Sequence, residues 1–306
     1  MVNEQMRTGR VKSTRRKKHR NTFDYAVFLF FPAILYLTFF IIPNLTSYIY
    51  SFFDNNGFIG TDNLTFEGFD NFIKVFQDPV FLIAFSNTVK YALIATIGQN
   101  SLALVFALFL LKQNRINNIL KTVYYLPAIL SSVAIGFTFG FILDPTIGIL
   151  NVGLTKIGLE GLTQSWLGDH KIVMFSIAGI HIWQAVGGAM ILFIAGLLNI
   201  PTDLYESANI EGANRWQIFR FLTFPLLIPV TIINIVLTTI GCFKSFDYVY
   251  IMTRGGGDKS SQVLATWLYM EGFEYIRIGI ASAIAVILSI TVSIIAIIQL
   301  NIYKEK

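Results

Sequence analysis

The chain has 306 residues, of which 54% are hydrophobic and 13% are charged, and its formal net charge is +5. Soluble domains carry about 25% charged residues, so this composition excludes a disordered chain, a nucleic-acid-binding domain and most soluble enzymes. The single cysteine, Cys242, excludes a disulfide framework and a cysteine-cluster metal site. The composition therefore predicts an all-α membrane protein.

Six runs without Asp, Glu, Lys or Arg are each long enough to cross a bilayer as a helix, because about 20 apolar residues span its hydrocarbon core. In chain order they are 25–53, 91–111, 122–143, 172–202, 221–243 and 278–303. We therefore predict six transmembrane spans within residues 23–303. The first run follows a basic region, but it is too long for the apolar part of a signal peptide and is interpreted as a retained helix.

The distribution of charge predicts the topology. Lys and Arg concentrate in residues 1–22, in the connections after the second and fourth spans, and in residues 304–306, whereas most acidic residues lie in the other connections. The positive-inside rule then places both termini in the cytoplasm. It also predicts an extracellular segment at about 54–80 and a cytoplasmic loop at 202–225. The basic tail 1–22 either sets topology against anionic membrane lipid or docks a partner, and it requires no nucleic acid.

The cytoplasmic loop is predicted to contain two short helices. Gly212-Ala213-Asn214 ends the first, a second runs over 215–221, and Pro225 begins the fifth span. The first helix either lies on the membrane surface or acts as a rigid lever in the groove of a soluble partner. Its few large apolar residues favour the lever.

The spacing of this loop resembles the EAA loop of ATP-binding cassette (ABC) importer permeases, in which E-A-A is followed by three residues, G, nine residues and I-x-L-P. Here Glu206-Ser207-Ala208 is followed by three residues, Gly212, nine residues and Leu222-Thr-Phe-Pro225. Ser207, Leu222 and Phe224 are mild departures from the pattern. The resemblance implies the type I ABC importer permease fold. It also implies that the residues coupling the chain to an ATPase are Glu206, Ser207, Ala208, Gly212 and Pro225.

Other stretches are similar to the carbohydrate-uptake branch of these permeases. They are Gly68-Phe-Asp-Asn-Phe, Tyr125-Leu-Pro127, Gly148-Ile-Leu-Asn151, and Ser245-Phe-Asp247 with Thr253-Arg-Gly-Gly256. Gly257 stands where that branch has proline, and the start of the first span resembles the larger maltose permease subunit. The resemblance implies a bacterial cytoplasmic-membrane protein that pairs with a second permease as a heterodimer. The other implied partners are an ABC ATPase dimer, an extracellular sugar-binding protein and a sugar substrate, most specifically an oligosaccharide.

Motifs for catalysis are absent from the sequence. Gly255-Gly-Gly-Asp-Lys259-Ser lacks the order of a Walker A motif, and no H-E-x-x-H, C-x-x-C or G-x-S-x-G occurs. We therefore predict that the chain is not an enzyme, needs no cofactor, and leaves ATP hydrolysis to a partner subunit.

Polar residues in the fourth span mark a candidate substrate cavity, because polar groups at membrane depth are costly. His181, Gln184 and Gly188 share one helical face, and Trp183 lies beside it. A sugar needs hydrogen-bonding groups beside a flat apolar surface, and by resemblance this part of the span lines the cavity. The alternative is a packing face, with Gly188 allowing close helix contact and His181 bonded internally.

The fifth span offers four further candidates. By resemblance, Thr238 and Cys242 share a face that lines the cavity, although Cys242 also suits a small core position. Lys244 and Asp247 either pair with each other or contact substrate. The rival functions are an ABC permease for glycerol phosphate or a peptide, and a self-contained carrier or channel.

Overall fold

The computed structural model describes residues 25, 28–54 and 64–304. The chain divides into two compact units, one ending at Ile49 and the other beginning at Tyr50. Four predicted regions lie wholly or partly outside the described residues: the basic tail 1–22, residues 26–27 of the first span, part of the extracellular segment (55–63), and residues 305–306 of the C-terminal end.

Most of the described part of the first unit belongs to the helix α1 (Phe28–Tyr50), which contains a π-helical stretch at Leu37–Ile41. Within that stretch the N–H of Ile42 bonds to the carbonyl of Leu37. Pro43 follows directly and has no N–H to donate, so the wider π turn accommodates the interruption of the hydrogen-bond ladder.

The described part of the second unit consists of helices and one small antiparallel ribbon, in which Phe53 of β1 (Phe53–Asp54) pairs with Phe66 of β2 (Thr65–Phe66). The helices are α2 (Asp70–Gln77), α3 (Pro79–Leu110), α4 (Arg115–Ile129), α5 (Ser132–Ile142), α6 (Ile149–Lys156), α7 (Val173–Leu198), α8 (Thr202–Ile210), α9 (Arg215–Phe243), α10 (Asp247–Thr253), α11 (Leu264–Tyr269, extended by the π turn Met270–Glu274) and α12 (Ile278–Lys304).

Five helices in the described part of the chain, α1, α3, α7, α9 and α12, are long and apolar enough to cross a membrane. The predicted third span is instead a broken pair, α4 and α5, whose axes differ by 94°. Leu130 and Ser131 adopt extended backbone conformations between the two helices. Pro127 removes one hydrogen bond from the last turn of α4, which weakens the helix just before this break.

The predicted short helix 215–221 and the fifth span form one continuous helix, α9. Asn214 and Gln217 form a capping box at its start. Pro225 therefore lies inside the helix rather than at its beginning. The π turn Phe219–Thr223 directly precedes it, because the missing N–H of Pro225 interrupts the ladder there.

The core of the second unit is formed where α7 packs against α3 and α4. Ala95 and Ala103 of α3 are fully buried and allow close approach of the two long helices. At Gly187 of α7, an added Cβ would lie 2.2 Å from the carbonyl oxygen of Tyr124 in α4. No side chain fits at this position, so glycine sets the close contact between α7 and α4.

Candidate coupling segment and translocation site

The helix–turn–helix segment 202–225 presents one face of α8 to solvent. Glu206 and Ser207 are exposed, and Ala208 is half-buried. The helix ends where Gly212 adopts a positive φ of 78°, a conformation that favours glycine. The N–H of Ala213 bonds to the carbonyl of Ala208 at 3.0 Å and closes the turn. The predicted stop at Gly212 is therefore confirmed.

The other face of α8 contacts α7 and α9 through the side chain of Tyr205. The hydroxyl groups of Tyr205 and Thr223 lie 3.2 Å apart, which joins α8 to the buried side of the π turn in α9. The Tyr205 ring also packs against a core cluster that includes Phe193, Leu197 and Leu227. Tyr205 therefore joins α8 to both α7 and α9.

A cavity of about 380 Å³ separates α8 from the start of α9. Its walls are Ala208, Glu211, Gly212, Ala213, Gln217, Ile218, Phe221 and Leu222. Two of the predicted coupling residues, Ala208 and Gly212, line this cavity. Glu206 and Ser207 lie on the exposed part of α8, and Pro225 lies further along α9, where it too is exposed.

His181 lies in a network of side chains from α3, α9 and α10. Its Nδ1 is 2.9 Å from the hydroxyl of Tyr91, and its Nε2 is 3.9 Å from the sulfur of Cys242. The Tyr91 hydroxyl also lies 3.2 Å from that of Ser245, and the Tyr248 ring packs edge-on against the imidazole. The structure thus brings His181 and Cys242 together and gives both imidazole nitrogens neighbours within the chain.

The other predicted residues of α7 differ in their surroundings. The amide nitrogen of Gln184 donates to the carbonyl of Leu130 at 2.8 Å, whereas Trp183 is 44% exposed and packs against Phe139. No described atom lies within 4 Å of the position that a Cβ would take at Gly188. Trp183 is therefore exposed and Gly188 has open space beside it, whereas Gln184 bonds to the backbone at the break between α4 and α5.

The predicted residues of the fifth span do not form one group. Thr238 is buried and accepts a hydrogen bond from the Asn100 amide at 3.5 Å. Asp247 accepts one from the Ser132 hydroxyl at 2.5 Å. Lys244 is exposed, and no ion pair joins it to Asp247, although the structure describes both residues.

An apolar groove of about 500 Å³ runs between α3, α9 and α12, and none of the predicted cavity residues line it. Asn100, Thr239 and Gln299 are among its polar lining residues, and the Gln299 amide donates to the Thr239 hydroxyl at 3.1 Å. Neither Asn100 nor Gln299 was among the residues predicted from the sequence to line a site. Their amides inside otherwise apolar runs were the available signal. The described residues contain no group of three or more His, Cys, Asp or Glu side chains that could hold a metal ion.

Comparison with known proteins identifies the family. Residues 99–305 match the family described as "Binding-protein-dependent transport system inner membrane component". This chain is a member of that family. It is 36% identical to the probable ABC transporter permease YurN of Bacillus subtilis, over 89% of this chain and 94% of the relative. It is 30% identical to the arabinooligosaccharides transport system permease AraP of the same species, over 87% of this chain and 84% of the relative.

The fold of this permease is also found in a solved structure. It superposes with a TM-score of 0.81 and 23% identity on the crystal structure of a bacterial ABC transporter involved in the import of the acidic polysaccharide alginate, covering 95% of this chain and 98% of that one. The predicted type I ABC importer permease fold is confirmed by this match. Membership of the family likewise confirms the predictions of a multi-pass protein of the bacterial plasma membrane and of a permease rather than an enzyme.

Proposed function

We propose that this chain is a permease subunit of an ABC importer that takes up an oligosaccharide. An extracellular binding protein delivers the sugar, and a separate ATPase dimer drives its passage. The observation that carries the proposal is the exposed, internally fastened helix α8, which bears the EAA spacing in a member of the binding-protein-dependent permease family. The sugar assignment is supported by AraP, whose name gives arabinooligosaccharides as its cargo.

The coupling step uses α8 as a rigid lever. Closure of the ATPase dimer on ATP displaces the exposed face at Glu206 and Ser207. The left-handed turn at Gly212 then fixes the angle between α8 and α9, and the contact of Tyr205 with Thr223 passes the motion into the fifth span. Such rigid-body motion is a common way of alternating between two arrangements of packed helices.

The substrate path in this proposal follows α7 and the outer end of α9. Trp183 supplies a partly exposed ring, Gly188 supplies space, and Lys244 supplies an exposed hydrogen-bond donor. The remaining members of the path are His181, Gln184, Thr238, Cys242 and Asp247. Their contacts with neighbouring helices, described above, hold the walls of the path in position.

The topology completes the proposal. The broken pair α4–α5 counts as one span, which gives six spans and places both termini in the cytoplasm by the positive-inside rule. The coupling segment then faces the ATPase. The second permease forms a heterodimer with this chain and completes the cavity.

Reconstitution tests this function. The purified chain, its second permease, the ATPase dimer and the binding protein are placed in proteoliposomes. Uptake is then measured with arabinooligosaccharides, maltooligosaccharides, lactose and glycerol phosphate. We expect ATP-dependent accumulation of an oligosaccharide and none of glycerol phosphate. Uptake by this chain alone without an ATPase, or transport restricted to glycerol phosphate, would contradict the proposal.

A further inference from the structure

Four aromatic side chains form a continuous cluster at the end of α9 that is opposite the coupling segment. Phe246 directly precedes α10 and Tyr250 lies within it, and Tyr269 and Phe273 belong to α11 and its π turn. The ring centroids of Phe246 lie 4.8 Å from those of both Tyr250 and Tyr269. Those of Tyr250 and Tyr269 are 4.9 Å apart, and those of Tyr269 and Phe273 are 5.1 Å apart. We call this set the aromatic cluster.

Polar groups border the aromatic cluster. The hydroxyl of Tyr250 donates a hydrogen bond of 3.1 Å to the exposed carboxylate of Glu274. The guanidinium of Arg277 stacks 5.3 Å from the centre of the Tyr275 ring. Phe273, at the edge of the cluster, is 72% exposed. The surface therefore combines one exposed ring, that of Phe273, and the half-buried rings beside it with hydrogen-bond acceptors and donors within one or two helical turns.

The aromatic cluster is continuous with the proposed substrate path through α10. One side of this helix carries Phe246 and Tyr250 of the cluster. Another side carries Asp247, which bonds to Ser132, and Tyr248, which packs against His181. A single helix of two turns thus separates the cluster from residues of the path.

We propose that the aromatic cluster is a contact site for the sugar rings of an oligosaccharide chain, outside the cavity itself. This inference depends on the proposed function, which supplies the class of cargo. The face of an aromatic ring carries a partial negative charge, so it attracts the C–H groups on the face of a pyranose. The Glu274 carboxylate and the Tyr250 hydroxyl then bond to the sugar hydroxyls.

An aromatic belt at the membrane interface is the competing explanation. Such belts are built from Trp and Tyr, whose polar tips reach the headgroups. Phe246 and Phe273 have no polar tip that could reach the headgroups, so two of the four rings lack the feature that places residues in such a belt. A surface that combines phenylalanine rings with the exposed carboxylate of Glu274 therefore fits a ligand that arrives from water.

Uptake by the complete reconstituted transporter tests the site. Phe273→Ala is compared with the matched control Phe109→Ala, which removes a ring that is 78% exposed on α3, far along the chain from the cluster. Uptake is measured with a disaccharide and a pentasaccharide of the sugar series that the wild-type complex transports. We expect Phe273→Ala to reduce pentasaccharide uptake at low sugar concentration by up to about tenfold. Disaccharide uptake and the control variant should be unchanged.

Thiol labelling provides a second readout that does not depend on transport. Cys242 is only 1% exposed, so Phe273→Cys adds the accessible thiol of this chain, and the partner subunits are used in cysteine-free form. We expect the pentasaccharide to slow labelling of Phe273→Cys by a hydrophilic maleimide and to leave labelling of Phe109→Cys unchanged. If the wild-type complex transports the sugar while labelling and pentasaccharide uptake are unaffected, the site is refuted and the proposed function stands. If the wild-type complex transports no sugar, both are refuted.

Discussion

The side-chain amide of Gln184 donates a hydrogen bond of 2.8 Å to the carbonyl oxygen of Leu130. Leu130 lies at the break between α4 and α5, where the helical ladder is interrupted. A carbonyl group without a hydrogen-bond partner costs free energy where no water is present. Gln184 therefore stabilises the bend in the third span by supplying a partner for the Leu130 carbonyl. A polar residue chosen from the sequence as a cavity candidate is thus also a support for the backbone.

Gln184→Leu is expected to destabilise the permease by about 1–3 kcal/mol, because the Leu130 carbonyl loses its partner. Uptake of every transported sugar should fall in parallel, since the bend affects the whole path. Thermal unfolding in detergent and uptake of two different sugars measure these effects.

Gln299→Leu is the matched control for this change. Its amide also bonds to another helix, but its partner is the Thr239 hydroxyl, which can bond within its own helix instead. A smaller loss of stability is expected there. A change in sugar preference without loss of stability in Gln184→Leu would show that Gln184 acts by touching the substrate.

Gly212 provides a test of the lever that separates backbone strain from loss of space. Its φ is +78°, and no described atom lies within 4 Å of the position that a Cβ would take, so only the backbone conformation resists substitution. Gly212→Val should abolish uptake, because a β-branched residue rarely adopts positive φ. Gly212→Asn should retain most uptake, because Asn tolerates this region. Equal uptake by the two variants, at equal amounts in the membrane, would argue against a fixed angle between α8 and α9.

The contact between Tyr205 and Thr223 can be measured by a double-mutant cycle. Tyr205→Phe and Thr223→Val each remove one hydroxyl of the pair, which is separated by 3.2 Å. We expect an interaction free energy of about 0.5–1.5 kcal/mol. The ratio of ATP hydrolysed to sugar transported should also rise in each single variant. Strict additivity of the two substitutions would mean that the hydroxyls do not interact.

The sequence predicted the parts of the fold that depend on composition and local pattern. Charge-free runs located the long helices, and Gly212 marked the end of α8, because both signals act within a few residues. Pro127 is a local signal of a weakened helix near Leu130, but the Gln184 amide that bonds to the Leu130 carbonyl comes from far along the chain and was not predicted. The hydrogen bond between Asp247 and Ser132 was not predicted either, because Ser132 belongs to another helix that is distant in the sequence.

The acidic residue Glu271, in the connection before α12, makes stability depend on pH. Burial raises the pKa of the Glu271 carboxyl above its usual range, although Arg277, with its guanidinium 2.7 Å away, and the Trp267 indole favour the charged form. A raised pKa in the folded state contributes stability below the unfolded pKa of about 4.3, and this contribution is lost as pH rises through the folded value.

Glu271→Gln removes this titration and keeps an acceptor for the Trp267 indole. The melting temperature of the variant relative to the wild type should therefore rise as the pH increases above the unfolded pKa of about 4.3. Differential scanning fluorimetry in detergent provides the measurement. A difference that is constant with pH, or that falls as pH rises, would contradict the assignment.

Site-directed crosslinking from α8 tests the coupling claim most directly. Ser207 is exposed and Cys242 is buried, so Ser207→Cys provides the reactive thiol of this chain for a photoactivatable maleimide. In membranes that contain the complete transporter with cysteine-free partners, we predict capture of the ATPase by Ser207→Cys and none by Phe273→Cys, which lies in the π turn that extends α11. Normal sugar uptake in a Ser207→Cys transporter that never captures the ATPase would contradict the account.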